Sequence, residues 1–510
     1  MQKESKTNLS ALIILPVCII TGIMLCSCNS PSGSYQSFAQ YDKPIYGELA
    51  KRSAAYEGPA RNPVIVVHGF LGSKLMESVS GKRIWGTFKG SYNLFPASPD
   101  MVRAFSHPME IGKPLRELKD TTVSTSILDD VDVRMFGFNF HVAGYSKLIN
   151  ILERAGYVPE TNPLPADKSF PSLFLFHYDW RRDLPENAAR LHDFILAKRK
   201  MLQEEYKRLY DLKDYDIQFD VVAHSMGGLV SRYYLRYGNQ DLPADGSLPK
   251  LNWAGSKFLD KVLIVGTPNS GYLDTIIEMV NGLRVEVGTP LMPPGLIATF
   301  PSYYQMMPPL STRSVVYNNA PEDSNVNIFD PQVWIDNKWG LADPKQDKML
   351  KMELPELATA EERRAVALDH LSKCLKRAHQ FIRAMQVYAT PPEDVALILF
   401  QGDAIPTSRQ AEVDRKTGVI KVTKQEPGDG KILVTSTLDD LRVGQKLWVP
   451  YLVCPIKWTA VYRINAAHMG ITSNPVFANN MTFSLVILPT AQMHKRRLEK
   501  VLHYIKDLDI

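Results

Sequence analysis

A mostly apolar run that passes directly into a small-residue turn around a serine, and from there into an amphipathic helix, leaves a chain few folds to choose from. Phe219 to Ala223 supplies the run, His224-Ser225-Met226-Gly227-Gly228 the turn, and Met226 to Tyr237 the helix, stopped by Gly238. A serine at such a turn sits on strained backbone at a strand end, so the residues two before and two after it, Ala223 and Gly227, must be small enough for neighbouring backbone to close in. This context reads Ser225 as a nucleophile and directs the search for the groups that a hydroxyl needs to act as one.

Further strand patterns recur along the chain. Val64-Ile65-Val66-Val67, Leu173-Phe174-Leu175-Phe176, Val262-Leu263-Ile264-Val265 and Val395 to Phe400 are short apolar runs of the kind found in strands covered on both faces. Helical patterns lie between several of them, at Gly144 to Ala155 and Ala188 to Leu209. Strands alternating with helices predict an α/β chain with a mostly parallel sheet covered by helices on both faces, and the serine turn makes it an α/β-hydrolase fold. The boundaries read as a signal segment over 1–27, a tether over 28–60, a first part of the core over 61–275, an inserted cap or lid over 276–392, and a second part of the core over 393–510. Within the insertion, Val287 to Thr312 carries no charged side chain. Its prolines deny it long regular elements, and its Met and aromatic residues form adaptable apolar surface, either a loop packed over the core or a lid over an acyl-binding site.

A serine hydroxyl is a poor nucleophile until a base takes its proton, and in folds of this kind the chain order is serine, acid, histidine. Of the late histidines, His494 and His503 fall in a Lys/Arg-rich pattern, Gln492 to Leu508, that reads as an amphipathic surface helix. His468, in Asn465-Ala466-Ala467-His468-Met469-Gly470 after a strand-like Trp458 to Ile464, is the expected base. His224, beside the nucleophile, points elsewhere and reads as structural. Two residues compete for the acid: Asp403 follows the Val395 to Phe400 run, and Asp429 sits in Gly428-Asp429-Gly430, which also suits a plain turn. The oxyanion formed at a substrate carbonyl needs two backbone amides, expected from Met226 and, in His68-Gly69-Phe70-Leu71-Gly72, from Phe70. His68 reads as a packing residue that braces this loop.

Five stretches together resemble the lecithin:cholesterol acyltransferase family, which includes phospholipases A and diacylglycerol acyltransferases. They are Pro63 to Leu75, Tyr178-Asp179-Trp180-Arg181, Ala223 to Leu229, Gly266-Thr267-Pro268-Asn269-Ser270-Gly271, and Gly428-Asp429-Gly430 with His468. The resemblance spans most of residues 61 to 485 and assigns the acid to Asp429; Gly402-Asp403-Ala404-Ile405-Pro406-Thr407 matches a family segment that is not catalytic. Phe300-Pro301-Ser302-Tyr303 resembles the family's lid segment. Ala223 stands where the family usually has Gly, His68-Gly69 where many members have Pro-Gly, and the cap matches only loosely. The implied activity is acyl transfer from a lipid ester to water or an alcohol. Tyr178, Trp180, Leu71 and Tyr303 are the candidate substrate contacts, although Tyr178 to Arg181 reads equally as a buried ion pair with an aromatic brace. The reading from another class is a surface lipoprotein that binds ligand on this scaffold without turnover.

The amino end carries a different message. Lys3 and Lys6 precede an uncharged, mostly apolar stretch from Leu9 to Leu25, ending in Leu25-Cys26-Ser27-Cys28. This is an export pattern, and it resembles a bacterial lipoprotein signal in which Cys28 carries the lipid, in preference to an uncleaved membrane anchor. The expected location is therefore the bacterial cell envelope, at the outer membrane, with the chain held to a membrane by its lipid. The remaining cysteines, Cys374 and Cys454, could pair or stay separate. There are 59 Lys plus Arg against 54 Asp plus Glu, a net charge of +5 with no basic stripe, so no nucleic-acid partner is expected. No metal-ligand spacing or cofactor motif occurs, and no pattern specifies an oligomeric state.

Overall fold

The computed structural model describes residues 51–490 apart from 53, 87–97, 129–130, 136–137, 143, 162, 284–291, 319–323, 446–448 and 451–452. The export segment, Cys28 and the expected helix over Gln492 to Leu508 lie outside the described residues.

Six strands form one parallel sheet: β1 (Val64–Val67), β2 (Leu173–Phe176), β3 (Phe219–His224), β4 (Leu259–Val265), β5 (Ala396–Gly402) and β6 (Ala460–Ile464), in the spatial order β6-β5-β4-β3-β1-β2. The apolar runs form central strands because their alternate side chains enter two different cores. Ile65, Val67, Val221, Ala223, Val262 and Ile264 belong to one apolar cluster, whereas Val64, Val66, Val222, Leu263 and Val265 belong to another. Each such Val, Leu or Ile contributes about 1.5–3 kcal/mol by leaving water, which a strand exposed on one face would half forfeit. Asp220, which interrupts the β3 pattern, accepts from the Asn62 amide at 3.0 Å and faces the Lys261 ammonium at 3.4 Å, while burial pushes its carboxyl up.

Helices α1 (Ser146–Arg154), α2 (Leu184–Tyr210), α3 (Met226–Tyr237), α4 (Asp274–Asn281), α5 (Ala360–Met385) and α6 (Pro475–Thr482) are joined to this sheet. The α1 side chains Leu148 and Leu152 belong to one cluster, and Leu191 and Ile195 of α2 with Val230 and Tyr233 of α3 to the other. This is the α/β-hydrolase arrangement expected from the sequence. Between β4 and β5 the chain makes short helices at Pro294–Ile297 and Pro301–Tyr304, as its prolines require, and then the long α5, opened by a Thr359/Glu362 capping box. Between β5 and β6 a hairpin of Ile405–Val413 and Ile420–Gly428 returns the chain to the sheet end, where Ile405 bridges to Asp429. Cys374 and Cys454 are both free thiols.

Candidate active site

Parallel strands bring their carboxyl ends to one edge, and four of the turns that leave that edge converge here. The turn after β3 holds Ser225 at φ 55°, ψ −127°, a conformation worth roughly 1–3 kcal/mol of strain. Close approach makes the flanking glycines necessary. A Cβ on Gly227 would lie 2.4 Å from the His68 carbonyl oxygen, and one on Gly69 would lie 2.7 Å from Ser225 Cβ.

Ser225 Oγ lies 3.0 Å from His468 Nε2, and His468 Nδ1 lies 2.8 Å from Asp429 Oδ2. Asp429 and His468, 204 and 243 residues beyond the serine along the chain, thus form one hydrogen-bonded series with it. Asp429 is only 1% exposed; its second oxygen accepts from the Lys431 and Ile432 amides at 2.9 and 2.6 Å, and its carbonyl accepts from the His468 amide at 2.9 Å. Gly428-Asp429-Gly430 is therefore a carboxylate-centred turn that closes onto its own following amides. Asp403 stays apart: its amide donates to the Ile464 carbonyl. Gly402 is the part of that segment which meets the acid, since a Cβ there would lie 2.6 Å from Asp429 Cβ.

The first loop is braced from below. His68 donates from Nδ1 to the Gly69 carbonyl at 2.7 Å, accepts the Tyr178 amide at Nε2 at 3.2 Å, and stacks on the Tyr178 ring at 4.1 Å between centroids. Burial lowers its pKa to about 3, so the ring is neutral and both nitrogens keep these roles. Among the described residues, the Phe70 and Met226 amides donate to no protein acceptor, which leaves both N–H groups beside Ser225 open to a ligand. Leu71, at φ 62°, accepts the Trp85 indole N–H at 2.9 Å.

A cavity of about 300 Å³ opens beside Ser225 and His468, lined on its apolar sides by Phe70, Leu71, Trp85, Leu128, Leu283, Met306, Ile432 and Met469. Of the four expected substrate contacts, Leu71 and Tyr303 line it. Tyr178 and Trp180 do not, which corrects that expectation. Both are buried behind the loop, where the Tyr178 hydroxyl donates to the His68 carbonyl and the Trp180 ring packs edge-on against Phe70 at 4.9 Å. The neighbouring Arg181 donates to Asp179, to Asp120 and to the Ala104, Phe105 and Ser106 carbonyls, so Tyr178 to Arg181 is the ion pair and brace.

Sequence reasoning missed several participants. Tyr145 accepts the Gly69 amide at 2.7 Å and its hydroxyl meets His224 Nδ1 at 3.0 Å. His224 Nε2 reaches the His468 carbonyl at 3.3 Å. Burial lowers His224 to about 3, and the neutral ring joins Tyr145, and through it the Gly69 amide, to the His468 turn. Only the Gly144-Tyr145-Ser146 helix entry marks Tyr145 in the sequence, and that says nothing of its hydroxyl. Glu278, Lys431 and Tyr272 also line the cavity without any motif to announce them.

The lecithin:cholesterol acyltransferase family model matches residues 118–380, just over half of the 510-residue chain. The chain belongs to the lecithin:cholesterol acyltransferase family. Membership places it among lipid ester hydrolases and acyltransferases at the level of the family. The stretch matched to the lecithin:cholesterol acyltransferase family contains Ser225 and Tyr178 to Arg181 but ends before Asp429 and His468, whose place rests on the geometry above. Among solved structures, a Tle4–Tli4 complex aligns at 12% identity over 84% of this chain and 100% of that one, with a TM-score of 0.49. Lipase 1 from Pelosinus fermentans aligns at 9% over 84% and 99%, with a TM-score of 0.32. The mature lipase BlEst2 of Bacillus licheniformis aligns at 10% over 85% and 93%, with a TM-score of 0.26. No curated protein matches the chain.

Proposed function

We propose that this chain is a membrane-anchored serine esterase or lipase acting on acyl esters of lipids, as a phospholipase or an O-acyltransferase. The observation that carries the reading is the series Ser225 Oγ, His468 Nε2, His468 Nδ1, Asp429 Oδ2, with contacts of 3.0 and 2.8 Å, at the wall of a largely apolar cavity. Ser225 Oγ attacks the ester carbonyl as His468 takes its proton. Asp429, held by two amides, fixes the proton on Nδ1 and stabilises the imidazolium. The Phe70 and Met226 amides receive the oxyanion, each such donor being worth about 3 kcal/mol. His468 returns its proton to the leaving alcohol, and water or an alcohol then relieves the acyl-enzyme. Lipid on Cys28 holds the chain at the envelope membrane that presents the substrate.

A fluorophosphonate probe tests this reading, because it forms a covalent bond only with an activated serine. The full chain in detergent micelles is expected to be labelled and Ser225→Ala not, with fatty acid or transferred ester formed from phosphatidylcholine vesicles by the first protein alone. An unlabelled wild-type chain that still binds lipid vesicles would establish the non-catalytic lipoprotein instead.

A further inference from the structure

One wall of the cavity breaks its apolar character. The Tyr272 hydroxyl donates to the Tyr303 oxygen at 3.3 Å, Tyr303 donates to Glu278, and Lys431 donates to the other Glu278 oxygen at 2.7 Å. All four residues line the cavity shared with Ser225 and His468. Tyr303 is 0% exposed, and Tyr272 and Glu278 are 9% exposed; burial raises the Glu278 pKa even against Lys431. Polar groups withdrawn from water in this way are costly, and a site that had only to house an acyl chain would hold aliphatic side chains there.

Bond direction determines what the wall offers. The Tyr272 proton goes to Tyr303 and the Tyr303 proton to Glu278, so the Tyr272 oxygen keeps its acceptor capacity. Lys431, whose side chain is 41% exposed, has three N–H donors and commits one to Glu278. An acceptor and a donor set into an apolar cavity complement hydroxyl groups, which are both. The charge count disfavours an anion: Lys431 lies 2.7 Å from Glu278 and 4.0 Å from Asp274, two carboxylates against one ammonium.

We infer that this wall is a hydroxyl-binding subsite and that the acyl acceptor is a neutral polyol of the glycerol type, taken up free or as part of a lipid. The inference rests on the acyl-enzyme proposed at Ser225. A hydroxyl oxygen of the polyol attacks the acyl carbon and its proton passes to His468 Nε2. The bond from the acyl carbon to Ser225 Oγ then breaks, Oγ recovers the proton from His468, and the polyol leaves as its ester.

The test supplies the full chain, in detergent micelles, with p-nitrophenyl butyrate and equal concentrations of glycerol, 1-propanol, glycerol 3-phosphate or a monoacylglycerol. The ratio of new butyrate ester to free butyrate is read by mass spectrometry. Both products come from one acyl-enzyme, so the ratio does not depend on how fast that species forms. The polyols are expected to exceed 1-propanol by about three- to tenfold, with glycerol 3-phosphate below 1-propanol, as one or two neutral hydrogen bonds allow. Tyr272→Phe and Glu278→Gln should bring the polyol ratios down to that of 1-propanol. An advantage for monoacylglycerol alone supports the subsite with a lipid-borne polyol, and an advantage for glycerol as well supports it with a free one. Equal ratios for both polyols and 1-propanol in the unaltered chain overturn the inference, whatever the variants do. Fluorophosphonate labelling in the same preparation separates the two failures: labelling with equal ratios removes only the subsite, whereas absent labelling removes the acyl-enzyme and the subsite with it.

Discussion

Replacing Asp429 by Asn exchanges one oxygen for an NH2 group, and the surroundings decide which. Oδ1 accepts from the Lys431 and Ile432 amides at 2.9 and 2.6 Å, so the oxygen that remains must stay there. The NH2 group then faces His468 Nδ1, where Oδ2 had accepted at 2.8 Å. A donor against Nδ1 forces that nitrogen to accept and moves the ring proton to Nε2, the atom 3.0 Å from Ser225 Oγ. Nε2 can no longer take the serine proton. A wrong tautomer of this kind costs about 10³–10⁴ in turnover, or about 4–5.5 kcal/mol in the barrier. Asp403→Asn is the matched control, since the Asp403 amide ties to Ile464 and its carboxyl has no hydrogen bond to His468 among the described residues; its effect should stay within about twofold. The assay is kcat/KM with p-nitrophenyl butyrate, with thermal melts to show that both variants fold. Asp429→Asn retaining a tenth of the activity or more, or Asp403→Asn losing about tenfold or more, would refute the assignment of the acid.

Gly69→Ala would set a Cβ 2.7 Å from Ser225 Cβ and displace the Phe70 amide; fluorophosphonate labelling should slow by about 10²-fold, the effect of losing one oxyanion donor. Tyr145→Phe removes the oxygen that accepts the Gly69 amide and meets His224, so the urea midpoint should fall by an amount equal to about 1–2 kcal/mol, with kcat falling alongside it. Burial pushes the Glu353 carboxyl from 4.5 up to about 8, so the unfolded chain loses this proton first and stability is lost as pH rises from 4.5 towards 8. Glu353→Gln should therefore melt close to the wild type at pH 4.5 and above it at pH 7.5, by an amount equal to about 4 kcal/mol. Cys28→Ser should move the chain from the detergent phase to the aqueous phase in Triton X-114 partition, if lipid on that residue is the anchor.

Much of the sheet was legible because its strands are buried on both faces and so spell continuous apolar runs. Val64 to Val67 and Leu173 to Phe176 fall at the expected limits, and the helix after Ser225 ends at Tyr237 as Gly238 requires. The acid was harder to read. In the sequence Asp403 directly follows β5, but the hairpin from Ile405 to Gly428 carries the chain away and back, and the later aspartate is the one delivered to His468. The sequence leaves Tyr178 and Trp180 equally open to a place in the cavity or behind it, because large aromatic side chains look alike whether they face a ligand or support the loop in front of one.

The sequence by itself determined the strained serine turn, the alternation of strands and helices and the candidate base, since each depends on residues that are neighbours along the chain. Only the tertiary structure brought Asp429, which the family resemblance had singled out over Asp403, against His468, and only it decided that His224 and Tyr145 connect two turns and that Tyr272, Tyr303, Glu278 and Lys431 make one polar wall. Hydrogen bonds reach about 3 Å, and these partners lie tens to hundreds of residues apart. Their contact is a property of how the sheet gathers its loops, which no local pattern encodes.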